Sequence, residues 1–110
     1  MQTKLTTHVL DTAQGQPGAG VRVQLYRGQD LLTETVTNAG GRCDAPLLAD
    51  DAMLPGAYQL HFHIGDYFRA QGIASPFLDV VPIHFSMEAG QSYHIPLVCS
   101  PWSYSTYRGS

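Results

Sequence analysis

Hydrophobic and polar residues alternate along this chain in short runs broken by turn residues. The first is Leu5-Thr6-Thr7-His8-Val9-Leu10, whose period of two is the mark of a half-buried strand, because successive side chains leave a strand on opposite faces. Asp11 and the turn-forming Gly15-Gln16-Pro17-Gly18 stop it. Val21, Val23 and Leu25 then alternate with Arg22, Gln24 and Tyr26, and residues 31–37 follow as a hairpin partner closed by Asn38-Ala39-Gly40-Gly41. A short fourth strand is expected to start at Arg42. Pro55-Gly56 introduces 57–64, where Tyr58, Leu60, Phe62 and Ile64 share a face. The alternation breaks over 65–72, where Asp66 is positioned to cap a helix of about two turns that Gly72 ends. Strands resume at 78–87 and 92–99, and 104–107 makes a short last one.

Seven or eight short strands with one short helix predict an all-β fold, an antiparallel β-sandwich. The 110 residues make a single domain, 1–110. Apolar residues at 44% supply a core, while charged residues reach only 14% against about 25% in an average soluble protein. So thinly charged a surface is expected to be covered in part by another subunit.

Six basic against nine acidic residues give a net charge of −3, and five of the six cations are Arg, with Lys4 the sole lysine. No basic stripe exists to neutralise phosphates, which argues against nucleic-acid binding. No apolar run is long enough to span a membrane. The opening Met1-Gln2-Thr3-Lys4 stretch has no apolar signal core, so a cytoplasmic location is expected. Cys43 and Cys99 are accordingly expected as free thiols. Nucleophile-elbow, zinc-protease, paired-cysteine, dinucleotide and phosphate-loop motifs are all missing, which leaves conventional covalent hydrolysis and cofactor chemistry without support.

The candidate chemistry lies on the outer strand faces. With Leu5, Thr7 and Val9 inward, Thr6, His8 and Leu10 face out; with Tyr93, Ile95, Leu97 and Cys99 inward, Ser92, His94, Pro96 and Val98 face out. Paired strands lie about 4.8 Å apart, so His8 and His94 converge if these two strands pair. Otherwise each is a surface histidine. Arg42, just past a turn, either reaches across a groove or is solvated. The ending Tyr104-Ser105-Thr106-Tyr107-Arg108-Gly109-Ser110 is dense in Tyr and Arg for a tail, and either docks on a surface or fills out a sheet. His61 and His63 share a face at a spacing two imidazoles use to hold a metal, without a third ligand nearby. His84 reads as a surface residue and Asp50-Asp51 as a solvated loop.

Three motifs together give a resemblance over nearly the whole chain: Leu5-Thr6-Thr7-His8-Val9-Leu10-Asp11, Thr37-Asn38-Ala39-Gly40-Gly41-Arg42, and the ending with its final Tyr-Arg-Gly-Ser. The chain resembles the 5-hydroxyisourate hydrolases of the transthyretin-related family. One position departs: that family commonly has Asp where this chain has Gly40, which removes a carboxylate that could orient the turn.

The resemblance implies a transthyretin-like sandwich assembled as a homotetramer, a dimer of dimers, with sites in a channel at the dimer–dimer interface. It implies hydrolytic ring-opening of 5-hydroxyisourate, the product of urate oxidation, to 2-oxo-4-hydroxy-4-carboxy-5-ureidoimidazoline, with no cofactor and no metal. The expected catalytic residues are His8, as base or water-positioning group, His94, orienting it or sharing the proton, and Arg42, on substrate carbonyl oxygens and the developing oxyanion. Tyr107, Arg108 and Ser110 are expected to complete the substrate-binding pocket, Ser110 through its hydroxyl or terminal carboxylate. The alternative reading is a non-catalytic carrier like transthyretin, whose hormone channel wants an apolar lining.

Overall fold

The outer-face residues of β1 (Lys4–Asp11) and β8 (Tyr93–Cys99) end up side by side because these two strands pair along their length. In the computed structural model, which describes residues 2–110, they form the centre of one sheet. That sheet runs β2 (Gln16–Pro17), β1, β8, β9 (Tyr104–Thr106), with β5 (Leu48–Ala49) also on β1. The second sheet runs β4 (Asp30–Val36), β3 (Arg22–Arg27), β6 (Gly56–His63), β7 (Val80–Met87). The inner faces meet through Leu5, Val9, Ile95, Leu97 and Cys99 on one side and Val23, Leu25, Leu60, Phe62 and Val81 on the other, all buried. Two sheets joined this way make the expected sandwich.

The β1–β8 pair is parallel, Leu5 opposite Tyr93 through Asp11 opposite Cys99, so the sandwich is not wholly antiparallel as expected. Parallel neighbours need a long crossover, and here the entire second sheet supplies it. Nor does a strand start at Arg42. The Asn38 side chain curls the chain there, accepting the Gly40 and Arg42 amides at 2.9 and 3.2 Å. Arg42 then meets β1 at a single bridge to His8, and regular pairing returns only at β5.

Helix α1 (Ile64–Ala70) begins earlier than Asp66: His63 is its N-cap and offers no side-chain capping bond. Burial sets the start, since Ile64, Gly65, Tyr67 and Phe68 all face the core. Asp66 lies in the first turn and pairs with Arg69 at 3.0 Å. The helix is tied to β1 by the buried Asp11 carboxylate, which accepts the Tyr67 hydroxyl at 2.8 Å and the Gln14 amide at 3.0 Å. Pro96, expected to face out, is buried. Among the described residues no helix is long and apolar enough to cross a membrane.

Candidate functional site

Strand register builds the site. On the outer face of the β1–β8 sheet, Thr6 lies opposite His94 and His8 opposite Pro96. Beyond β1, Arg42 bridges His8; beyond β8, Gly109 bridges His94. Cross-strand partners point to the same side. Arg42 and His8 therefore make one row, and Thr6, His94 and Gly109 the next. These residues come from the start, middle and end of the chain.

Each side chain is held by a local device. The Thr6 hydroxyl and His94 Nδ1 share a hydrogen bond of 2.8 Å, leaving His94 Nε2 without a partner among the described residues. His8 Nε2 lies 2.9 Å from the Gly40 carbonyl oxygen. A carbonyl only accepts, so Nε2 carries the proton and Nδ1 of neutral His8 carries a lone pair. The turn before Arg42 keeps its shape with glycine at position 40 because Asn38 closes it, with its own side-chain amide donating to Asp44 at 3.0 Å. Gly41 sits at φ +76, and a Cβ there would strike the Val9 carbonyl.

The tail is docked. β9 pairs with β8, and the Gly109 amide donates to the His94 carbonyl at 2.7 Å. Arg108 lies over the Tyr93 ring, 4.3 Å from its centroid, and donates to Gln91 Oε1 at 2.9 Å and the Ser92 carbonyl at 3.1 Å.

Lys4, Thr6, Arg42, Ser92, Tyr93, His94, Gly109 and Ser110 line one hollow of about 390 Å³. Of the residues singled out in the sequence, Arg42, His94 and Ser110 line it, and His8 stands in the adjacent row beside Arg42. Tyr107 and Arg108 line a neighbouring, more apolar hollow with Ile83, Phe85 and Tyr93. Sequence reasoning missed Lys4, Thr6, Ser92 and Gly109, and placed Tyr93 only in the core. The first two were marked by sharing the i, i+2, i+4 stripe of His8. The largest influence on His94 is burial, followed by the positive Arg42 and by His8, and together they hold its pKa below the usual imidazole value. His94 is therefore neutral, and able to accept a proton, at neutral pH.

The remaining candidates lie elsewhere. His61 Nε2 is 3.0 Å from Gln59 Oε1 and its ring lies tilted against that of Tyr26, centroids 4.7 Å apart, while His63 Nε2 is 2.7 Å from Gln24 Oε1. Both belong to the outer face of the other sheet. Among the described residues no three His, Cys, Asp or Glu side chains are grouped to hold a metal. His84 is exposed. Cys43 and Cys99 are free thiols, and burial with Asp11 nearby pushes the Cys99 thiol up to about 12, which keeps it unreactive.

Residues 5–109 match the HIUase/Transthyretin family. The chain belongs to that family. Within it, the chain is 54% identical over 113 residues to the 5-hydroxyisourate hydrolase of Deinococcus radiodurans, covering 96% of this chain and 95% of that one. The Pseudomonas aeruginosa 5-hydroxyisourate hydrolase is 52% identical over 115 residues, with 97% and 91% covered. Among solved structures, an (S)-allantoin synthase superposes with a TM-score of 0.94 at 41% identity over 99% of this chain, which spans 44% of that longer chain. The Klebsiella pneumoniae 5-hydroxyisourate hydrolase gives 0.88 at 36% identity, covering 98% and 99%. Sea bream transthyretin in complex with thyroxine also gives 0.88, at 26% identity over 96% and 94%. The fold is thus the transthyretin-like sandwich of two principal sheets and one short helix.

Proposed function

We propose that this chain hydrolyses 5-hydroxyisourate to 2-oxo-4-hydroxy-4-carboxy-5-ureidoimidazoline in urate degradation. The observation that carries the reading is the meeting of Arg42, His94 and Ser110, residues of separate motifs, in one hollow beside His8. Full-length relatives bearing the 5-hydroxyisourate hydrolase name at about half identity support it.

The reaction needs a water whose oxygen bonds to a ring carbonyl carbon while the ring C–N bond breaks. The nitrogen ends with a proton, and the new acid ionises to a carboxylate, releasing the other. Neutral His94, with Nε2 unpartnered among the described residues, accepts the proton from water; such help is typically worth roughly 10²–10⁴-fold. Of the roles expected of His8, water positioning suits its geometry better, because Nε2–H is committed to Gly40 and Nδ1 is left as an acceptor. Arg42 holds substrate carbonyl oxygens and stabilises the oxyanion, where one good donor contributes about 3 kcal/mol.

Tyr107 and Arg108 deliver Gly109 and Ser110 to the hollow, and Ser110 adds a hydroxyl contact to the planar ring. Attack by water rather than by Ser110 fits the hydrogen bonds of His8 and His94, which go to Gly40 and Thr6. The reading includes a homotetramer, a dimer of dimers, with this sheet face turned inward, and no cofactor. A carrier of apolar hormone is the poorer fit, since Lys4, Arg42 and His94 line the hollow.

Product analysis tests the assignment. Freshly generated 5-hydroxyisourate incubated briefly with the protein should yield a species heavier by one water and carrying a new carboxylate. Accumulation of unchanged substrate, or of its spontaneous products at the uncatalysed rate, would overturn it.

A further inference from the structure

The fates of the six cations in the fold point to one residue that neither the motifs nor the resemblance singles out. Arg69 is committed to Asp66 and Asp79, the only two ion pairs among the described residues. Arg27 donates to the Tyr58 hydroxyl and the Pro55 carbonyl. Arg22 lies 3.3 Å from the His63 ring nitrogens, and Arg108 is tied to Gln91, Ser92 and the Tyr93 ring. That leaves Lys4 and Arg42, whose side-chain nitrogens have no hydrogen-bond or ion-pair partner among the described residues. These two line the same 390 Å³ hollow, and with Thr6 they also line the smaller one beside it.

In a chain of net charge −3, with carboxylates available elsewhere for pairing, two unsatisfied cations converging on one hollow make a receptor for an anion. The β1 backbone sets their arrangement. Lys4, Thr6 and His8 occupy one face at steps of about 6.6 Å, and Arg42 is abreast of His8. Lys4 and Arg42 therefore flank the Thr6–His94 pair from its two ends. The Lys4 backbone is pinned by its amide bond to Ser92 Oγ at 3.1 Å and by register with Ala49, so the ammonium stem starts from a fixed point.

We propose that Lys4 is a ligand-binding residue of this site, forming with Arg42 a two-cation receptor for the carboxylate that ring-opening creates. The inference rests on the hydrolase reading, which supplies the anion: a ring amide carbonyl becomes a carboxylate within the hollow. Arg42 serves the oxyanion during attack, and Lys4 takes charge as it settles on the product. Lys4 thus governs product affinity and contributes less to the chemical step.

Two stable ureide rings test this without the unstable substrate. Orotate carries a ring carboxylate and uracil has the same ring without one. Wild type should bind orotate more tightly than uracil by isothermal titration. Lys4→Gln should lower orotate affinity about tenfold, the worth of one charge-assisted contact, while leaving uracil unchanged. Lys4→Arg should restore most of it. Arg22→Gln, which removes the same charge from the opposite sheet, should leave the orotate preference intact. In turnover, Lys4→Gln should raise the product concentration needed for half inhibition. Equal binding of the two rings by wild type, or an unaltered orotate preference in Lys4→Gln, would overturn the proposal even if the protein hydrolyses 5-hydroxyisourate. Failure of wild-type turnover alone would instead remove the hydrolase reading beneath it.

Discussion

Gly109 packs close against the imidazole of His94: its amide donates to the His94 carbonyl at 2.7 Å, and a Cβ on it would lie 2.6 Å from His94 Cδ2. A close approach of this kind admits only glycine. In Gly109→Ala either the tail lifts or the imidazole turns off Thr6. The expected outcome is a loss of at least about tenfold in kcat/KM, since small misplacements near the reacting atoms are costly. The melting temperature should change little, because the tail end adds no buried core. Steady-state kinetics and a thermal melt check both halves; full activity in the variant would mean that this contact is idle.

Burial, Arg42 and His8 all depress the pKa of His94. If its neutral form accepts the proton, the acid limb of kcat/KM lies below the usual imidazole value of about 6.5. Arg42→Gln removes one depressing charge and should move the limb upward in pH, apart from its effect on rate. Stability carries the same sign. His63, lowered chiefly by burial and then by Arg22, joins His94 in binding protons less readily folded than unfolded. Between the depressed folded values and the unfolded value the unfolded chain holds more protons, so stability rises with pH across that window. Denaturant melts should show it intact above about pH 6.5 and falling as the pH drops through the folded values.

The turn that delivers Arg42 depends on Gly41 more than on the glycine before it. Gly41 has φ +76 and no room for a Cβ against Val9, whereas Gly40 would meet only the Asn38 side chain, at 3.5 Å. Gly41→Ala should cost about 2 kcal/mol or more of stability and weaken substrate binding. Gly40→Asp should fold normally. Urea melts of the pair give the comparison, and equal stabilities would contradict this account of the turn.

Arg108 contacts Gln91, the Ser92 carbonyl and the Tyr93 ring, and so braces two residues of the wall of the 390 Å³ hollow without lining it itself. Arg108→Ala should let the last residues fray and lower kcat. Gln91→Ala, which removes one of its partners, should do so more mildly. A variant that raises KM alone, with kcat untouched, would return Arg108 to direct substrate contact.

The strands were legible because one face of each is buried, which imposes the period of two: Leu5, Thr7 and Val9 inward, Thr6 and His8 outward, as the structure has them. The parallel pairing of β1 with β8 was not, because local pattern carries no information about a partner 88 residues away. The helix start was misread at Asp66, since a short acidic residue resembles a cap while the burial of Ile64 and Gly65 decides the matter. Arg42 was visible as a residue after a turn, but the Asn38 bonds that aim it depend on the folded loop. Lys4 was passed over because a lone lysine on a surface strand is ordinarily solvated. Only the accounting of every cation's partner sets it apart.

Ultraviolet decay of freshly generated 5-hydroxyisourate, with wild type and with His94→Ala, tests the central claim most directly. The account predicts that catalytic amounts of wild type collapse the decay to a rate set by protein concentration, and that His94→Ala, still folded, slows turnover by at least about a hundredfold. Decay at the spontaneous rate with wild type, or undiminished turnover by His94→Ala, would contradict it.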